Sequence, residues 1–170
     1  LFPAMDLASN LVQWFVTKVR PPDFLPKLDL SKAIPENAKT AVVVQSLFNN
    51  EQTISRAIEA LEVRYLANPE PNLIYGLLAD LVDAREEVLP SDQPLMDHCQ
   101  QLIAELNNRY GNIFFVLFRK RLWNESQGVF MAWERKRGKI EEFNKLILGL
   151  GHGSFIISED QVKSFSDISY

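Results

Sequence analysis

The sequence is short of several things that would each have pointed to a class of protein. It has one cysteine, Cys99, so no disulfide can form within the chain and no cysteine cluster can hold zinc or an iron–sulfur centre. Its two histidines, His98 and His152, lack the spacing of metal ligands. Positive charge is not in excess. With 18 Lys and Arg against 22 Asp and Glu, the net charge is −4 and the pI about 5.3. That balance argues against a protein whose main work is binding nucleic acid. No apolar run reaches the roughly 18 residues of a membrane span. Neither G-x-G-x-x-G nor a P-loop occurs, which removes the fingerprints of dinucleotide and P-loop chemistry. The chain opens at Leu1 with no basic n-region and no small-residue cleavage site. No signal peptide is expected, and the sequence reads as a piece of something longer.

What remains is a folding composition, 46% hydrophobic and 24% charged over 170 residues. That length supports one full core but not two large domains. Charge is unevenly placed. Between Arg119 and Lys145 eight Lys and Arg stand against four Glu, while the rest of the chain is acidic. A basic segment in an acidic chain suits a phosphorylated ligand, and it equally suits a solvated helix face.

Periodicity supplies the architecture. Met5 to Val19 has Leu7, Leu11, Trp14, Phe15 and Val19 near one helical face, then Lys18, Arg20 and the stop Pro21-Pro22. Such a helix can pack on a domain or lie at a membrane surface. Ala41–Leu47 (AVVVQSL) reads as a buried strand. Glu51–Tyr65 switches to helical spacing, with Ile54, Ile58, Leu61 and Tyr65 on one stripe. A strand from Leu73 to Asp80, a helix Pro94–Tyr110, a strand Asn112–Phe118 and a helix Ile140–Leu148 follow. Phe155–Ile157 is a candidate short strand, and the aromatics around Gly128 (Trp123, Phe130, Trp133) suit a core or a pocket wall, with most expected in the core. The alternation predicts an α/β fold with an open parallel sheet, which binds ligands at the carboxyl ends of its strands.

Three strand ends are therefore of interest: after Val44, at Asp80–Asp83, and beyond Phe118. Asp80 and Asp83 can accept hydrogen bonds from a nucleobase N–H or a ribose hydroxyl, or can serve a turn or cap. Asn49, Asn50 and Glu51 read as the cap of the following helix. From Glu134 to Asn144 four cations surround Gly138 just ahead of a helix. Backbone N–H groups and charge there can wrap a diphosphate. The same residues can also be a solvated helix start with an Arg137–Glu141 pair.

The runs LEVRYLANPEPNL, LLADLVDA, FFVLFRKRLWNESQGVFMAWERKRGKIEEFNKLILG and PKLDLSKAIPENAKTAVVV closely resemble bacterial cyclic β-1,2-glucan synthases over most of residues 20–149. They match the start of the glycosyltransferase region. The resemblance implies the amino-terminal, nucleotide-binding half of a Rossmann-like GT-A module, truncated before its D-x-D motif. It implies an inverting transfer in which UDP-glucose is the donor and a glucan 2-hydroxyl the acceptor. The enzyme would sit in the bacterial inner membrane with this module on the cytoplasmic face. Residues 1–22 would be a juxtamembrane or packing helix, 23–150 the nucleotide-binding half, and 151–170 the start of an incomplete following segment. Val44 would shape the nucleotide pocket, although the family usually has proline where this chain has Gln45. Glu51 would lie near the ribose, and Asp80 would hold the uracil. Asp83 falls beside it, Arg137, Gly138 and Lys139 would serve the phosphates, and Asn144 would face the cleft.

No D-x-D occurs in this sequence. The Mg²⁺ or Mn²⁺ that a GT-A enzyme uses to offset charge on the leaving diphosphate is thus expected to be bound elsewhere in the whole enzyme. The same holds for the catalytic base and for the acceptor site, so no residue here is expected to be catalytic or to bind metal. The partners implied are UDP-glucose, the glucan acceptor, the other transferase half and the membrane segments, with no nucleic acid. By itself the segment is expected to be inactive. The alternative is a non-catalytic nucleotide-sugar-binding or interaction domain.

Overall fold

The computed structural model describes residues 2–20 and 33–170. Helix α1 (Phe2–Val19) matches the helical spacing read over Met5–Val19, and it lies in a different unit from Ala33–Tyr170. The stop at Pro21-Pro22 and the boundary between 22 and 23 fall outside the described residues. No described helix is long and apolar enough to cross a membrane.

The second unit alternates strand and helix as the spacing predicts. Strand β1 (Thr40–Phe48) leads to α2 (Glu51–Ala67), β2 (Leu73–Leu81), α3 (Asp92–Tyr110) and β3 (Phe114–Arg119). Asn50 caps α2, its side chain accepting from the Thr53 N–H at 2.9 Å, as its position suggested. A hairpin of β4 (Leu122–Asn124) and β5 (Val129–Met131) follows, then α4 (Arg137–Ile147), β6 (Phe155–Ile156) and α5 (Glu159–Ser164). The main sheet runs β1-β2-β3-β6.

The first three strands are parallel, but β6 is antiparallel to β3, pairing Phe118 with Ile156 and Arg119 with Phe155. The sheet is therefore mixed where an all-parallel one was expected. The cause is the return after α4. Gly149, Gly151 and Gly153 all adopt positive φ, turning the chain back tightly rather than carrying it through a crossover.

The pleat sorts the side chains onto two faces. From β2, Leu73, Tyr75, Leu77, Ala79 and Leu81 pack with Ile54, Ile58 and Leu61 of α2 and with Cys99, Ile103 and Leu106 of α3. On the other face, Leu78 and Leu117 meet Phe143 and Leu146 of α4 together with Phe155, Phe165 and Ile168. Phe155, Phe165 and Ile168, in the stretch 151–170 read from sequence as the start of a following segment, pack within this core. The last residues of that stretch reach β1: Ala41 N–H donates to the Tyr170 carbonyl at 2.8 Å, and Ser169 N–H to the Lys39 carbonyl at 2.9 Å. Each fully buried aliphatic side chain contributes about 1.5–3 kcal/mol. Burial also pushes the Cys99 thiol up to about 12 from its ordinary 9.0, so this cysteine is a packing residue.

Gly76 shows how tight the second face is. A Cβ there would lie 2.1 Å from Cζ of Phe115, its register partner on β3. The Phe115 ring is itself held against Phe165 at 4.9 Å and Phe143 at 6.1 Å. Gly76→Ala is expected to cost about 1–3 kcal/mol through overpacking. Adding Phe115→Leu should recover part of that loss in urea unfolding. An unchanged midpoint in the single variant would contradict this packing.

Candidate functional site

The carboxyl ends of β1, β2 and β3 lie side by side, and the pleat decides what they present. Asp80 falls on the same face of β2 as Leu78, and Arg119 on the same face of β3 as Leu117. Both side chains therefore project toward α4, whose first turn brings Lys139 down to meet them. The result is a buried charge cluster. Arg119 holds Asp80 in a two-pronged pair, Nε to Oδ1 at 2.8 Å and Nη2 to Oδ2 at 2.9 Å. Lys139 Nζ adds a contact to Oδ2 at 2.9 Å. Its other two protons go to the carbonyls of Ser46 and Leu78, at 2.9 and 3.1 Å.

Two more groups complete the cluster. Arg119 Nη1 donates to the Trp133 carbonyl at 2.9 Å and lies 3.8 Å from Glu142 Oε1. Glu142 in turn accepts from the backbone and hydroxyl of Ser154, at 3.1 and 2.6 Å. Two cations and two carboxylates thus tie β1, β2, β3, α4 and the loop after α4 together. Burial lowers the Lys139 pKa from its ordinary 10.5, while the hydrogen bond and charge of Asp80 oppose that fall.

Asp80 is 1% exposed and Lys139 2% exposed. The expectation of an open Asp80 carboxylate for a uracil ring, and of a phosphate-facing Lys139, meets a different arrangement here. Each side chain is already satisfied by the other and by its neighbours, so both act as supports under the strand ends. Gly138 is likewise turned inward. A Cβ at that position would stand 2.5 Å from the Trp133 carbonyl oxygen and 2.5 Å from its ring. Its close approach is thus to Trp133 of this chain.

The exposed layer above contains other expected residues. Asp83 pairs with Arg135, and its second carboxylate oxygen is buried with no hydrogen-bond partner. Arg137 opens α4 and is exposed beside Glu134, 3.6 Å away. Glu51 is exposed at the first turn of α2. Gln45, at the position where proline was expected, donates to the Lys136 carbonyl at 3.2 Å and so ties β1 to the start of α4.

Two expected residues lie off this site. Val44 was placed at the end of the first strand, but β1 continues to Phe48. Val44 therefore pairs with Leu77 in mid-strand and packs against the first core. Asn144 is exposed about 10 Å along α4 from Arg137, at 1.5 Å per residue.

Sequence reasoning missed Arg119, Glu142, Arg121 and Asp92. Arg121 is buried between Asp92 and the carbonyls of Val82 and Glu87, and so ties β3's end to the loop after β2. The available signal was register: a charged residue ending an apolar strand beside an aspartate ending its neighbour. Among the described residues, no three His, Cys, Asp or Glu side chains gather to hold a metal ion.

No family model matches the chain. It is 37% identical over 164 residues to the cyclic beta-(1,2)-glucan synthase NdvB of Rhizobium meliloti (strain 1021). That match covers 94% of this chain and 6% of the relative, so the chain corresponds to a small region of a much longer protein. The resemblance seen in the quoted runs thus extends along nearly the whole sequence.

Proposed function

We propose that this chain is the nucleotide-binding half of an inverting, GT-A-type glucosyltransferase that builds cyclic β-1,2-glucan, and that it receives the uridine side of UDP-glucose. The observation that carries the reading is the 37% identity to a cyclic β-(1,2)-glucan synthase along 94% of the chain. A sheet whose parallel strands end together at a charged edge supports it. In this reading Glu51, Asp83 and Arg137 meet the nucleotide, because they are the members still open to solvent or incompletely paired. Asp80, Gly138 and Lys139 hold the floor beneath them, Val44 acts only through packing, and Asn144, exposed about two turns along α4, stays outside the nucleotide contacts.

The described residues do not offer a divalent-metal site, so no step is assigned to a metal in this chain. A D-x-D pair, the base that deprotonates the acceptor hydroxyl and the acceptor site are assigned to other parts of the whole enzyme, which we place in the inner membrane with this half facing the cytoplasm. What this chain contributes is orientation: a bound UDP moiety fixed at the strand ends presents C1 of glucose to an incoming 2-hydroxyl.

Calorimetric titration of the chain with UDP, UDP-glucose and ADP tests the reading. Uridine-selective binding is expected, weakened several-fold by Asp83→Ala or Arg137→Ala. Equal binding of ADP, or no binding by the folded chain, would overturn it.

A further inference from the structure

The main sheet has two edges, and they are finished differently. At the β3 edge the outward N–H and carbonyl of Phe114 are both taken by the Asn107 side chain, each at 2.9 Å. Farther along, β6 pairs with Phe118 and Arg119, and Lys120 N–H donates to the Ser154 carbonyl at 2.8 Å. The β1 edge has no such cover beyond its start. Successive N–H groups of a strand point to opposite neighbours, so Val42 and Val44 face β2 while Ala41, Val43, Gln45 and Leu47 face outward. Of these four outward N–H groups, Ala41 alone has a backbone partner among the described residues.

The composition of β1 is not that of an edge. Its nine residues, TAVVVQSLF, carry no charge and no proline, the usual guards of an exposed ladder. Val42 and Val44 pack on the first core and Ala41 and Val43 on the second, so both faces are covered as in a central parallel strand. Leu47, past them, is left 42% exposed.

One residue already occupies this edge. Tyr170 N–H donates to the Lys39 carbonyl at 3.3 Å, and its carbonyl accepts from Ala41 N–H at 2.8 Å. The two bonds straddle Thr40. That is a parallel rung, since an antiparallel one would send both bonds to a single residue. Ser169 anchors the approach, with its N–H on the same Lys39 carbonyl at 2.9 Å and its hydroxyl on the Asn37 carbonyl at 3.1 Å.

We propose that the β1 edge receives a further strand, parallel to β1 and begun by Tyr170, and that the polypeptide following Tyr170 in the longer protein supplies it. Tyr170 sets the direction and the first rung, and the matched relative, of which this chain covers 6%, has ample polypeptide to fill the edge. The second residue after Tyr170 then donates to the Ala41 carbonyl and accepts from Val43 N–H. Because the pairing is parallel, the new strand ends on the same side of the sheet as β1, β2 and β3, where Glu51 opens α2. It walls the strand ends on the β1 flank, whatever those ends bind.

The experiment is amide hydrogen exchange, resolved to single residues, on this chain and on a longer form of the same protein that continues past Tyr170. In the shorter form Val43 is expected to exchange freely, while Val42 and Val44, bonded to β2, stay protected. In the longer form Val43 should slow by about a hundredfold or more, with Val42 and Val44 little changed. Proline as the second residue after Tyr170 removes the N–H aimed at Ala41 and should cancel that protection, whereas alanine there should keep it. Protected amides of Leu77 and Leu78 in β2 certify that every form is folded. Val43 exchanging equally fast in the longer form would overturn the proposal, and protection that survives the proline would overturn the pairing. Val43 already protected in the shorter form would overturn it as well. Loss of that protection on dilution would identify a second copy on the edge, and protection at every concentration would identify another part of this chain.

Discussion

Asp80→Asn is expected to remove about 3–5 kcal/mol of folding stability, the usual result of stripping one partner from a buried charge group. A whole domain is stabilised by only about 5–15 kcal/mol, so the variant sits near the edge of folding. The size follows from what is left behind. Arg119 and Lys139 stay buried without their counter-ion, and Glu142 is 3.8 Å from Arg119 in the intact cluster, too long to replace a two-pronged pair. Arg119 cannot shed its proton, but Lys139 can. Burial already lowers the Lys139 pKa, and Asp80 supplies the contributions that resist it.

Without Asp80 that pKa falls further. The unfolded chain then binds more protons than the folded one between the new value and 10.5, so the variant gains stability as pH rises through that window. Urea unfolding across the alkaline range checks the sign. Adding Lys139→Met should recover a large part of the loss, because it removes one stranded charge and fills its space with an apolar chain. A single variant as stable as the parent would mean that the cluster is not what holds the strand ends together.

How much of this was readable beforehand depended on the period of each signal. β1, β2 and β3 were legible because each is an apolar run bounded by turns, and α2 because Ile54, Ile58 and Leu61 repeat on one stripe. β6 pairs through only two residues, Phe155 and Ile156. So short a segment fixes neither direction nor partner, and the sheet was read as wholly parallel. The aromatics around Gly128 read mostly as core because Trp and Phe near a glycine look the same in a sequence whether they face a core or solvent, and Trp123 and Trp133 are exposed. For the site, the positions of Asp80 and Lys139 were legible but not their mutual pairing. A basic run such as Arg135–Lys139 says nothing about which member turns inward. The start of α4 decides that, placing Arg137 in solvent and Lys139 over the carbonyls of β1 and β2.

The second large effect is expected at Arg121. Its Nε donates to the Val82 carbonyl at 2.6 Å and one Nη to the Glu87 carbonyl at 3.2 Å, while both Nη groups hold the Asp92 carboxylate. Arg121→Met keeps the packing of the stem but leaves Asp92 with the Leu89 N–H and leaves two carbonyls short of a donor. A loss of about 3–5 kcal/mol is expected, with residues 82–91 losing amide protection before the sheet does. The pH dependence should change sign. In the parent, burial works to raise the Asp92 pKa, but the Arg121 hydrogen bond, the Leu89 N–H and the Arg121 charge outweigh it and hold the carboxyl below 3.8. That contribution is present above 3.8 and is lost as pH falls through the depressed value. With Arg121 gone, burial is opposed only by the Leu89 N–H and the pKa rises above 3.8. Its contribution is then present in acid and lost as pH rises, so the gap in stability between parent and variant should narrow on moving from neutral to mildly acid solution. The loop carries Asp83, so the same variant should also weaken UDP binding, although Arg121 is buried beneath the site and faces no ligand. A gap that widened in acid would show that Arg121 is not what lowers the Asp92 pKa. UDP affinity left intact would separate the clamp from the site and confine Arg121 to stability.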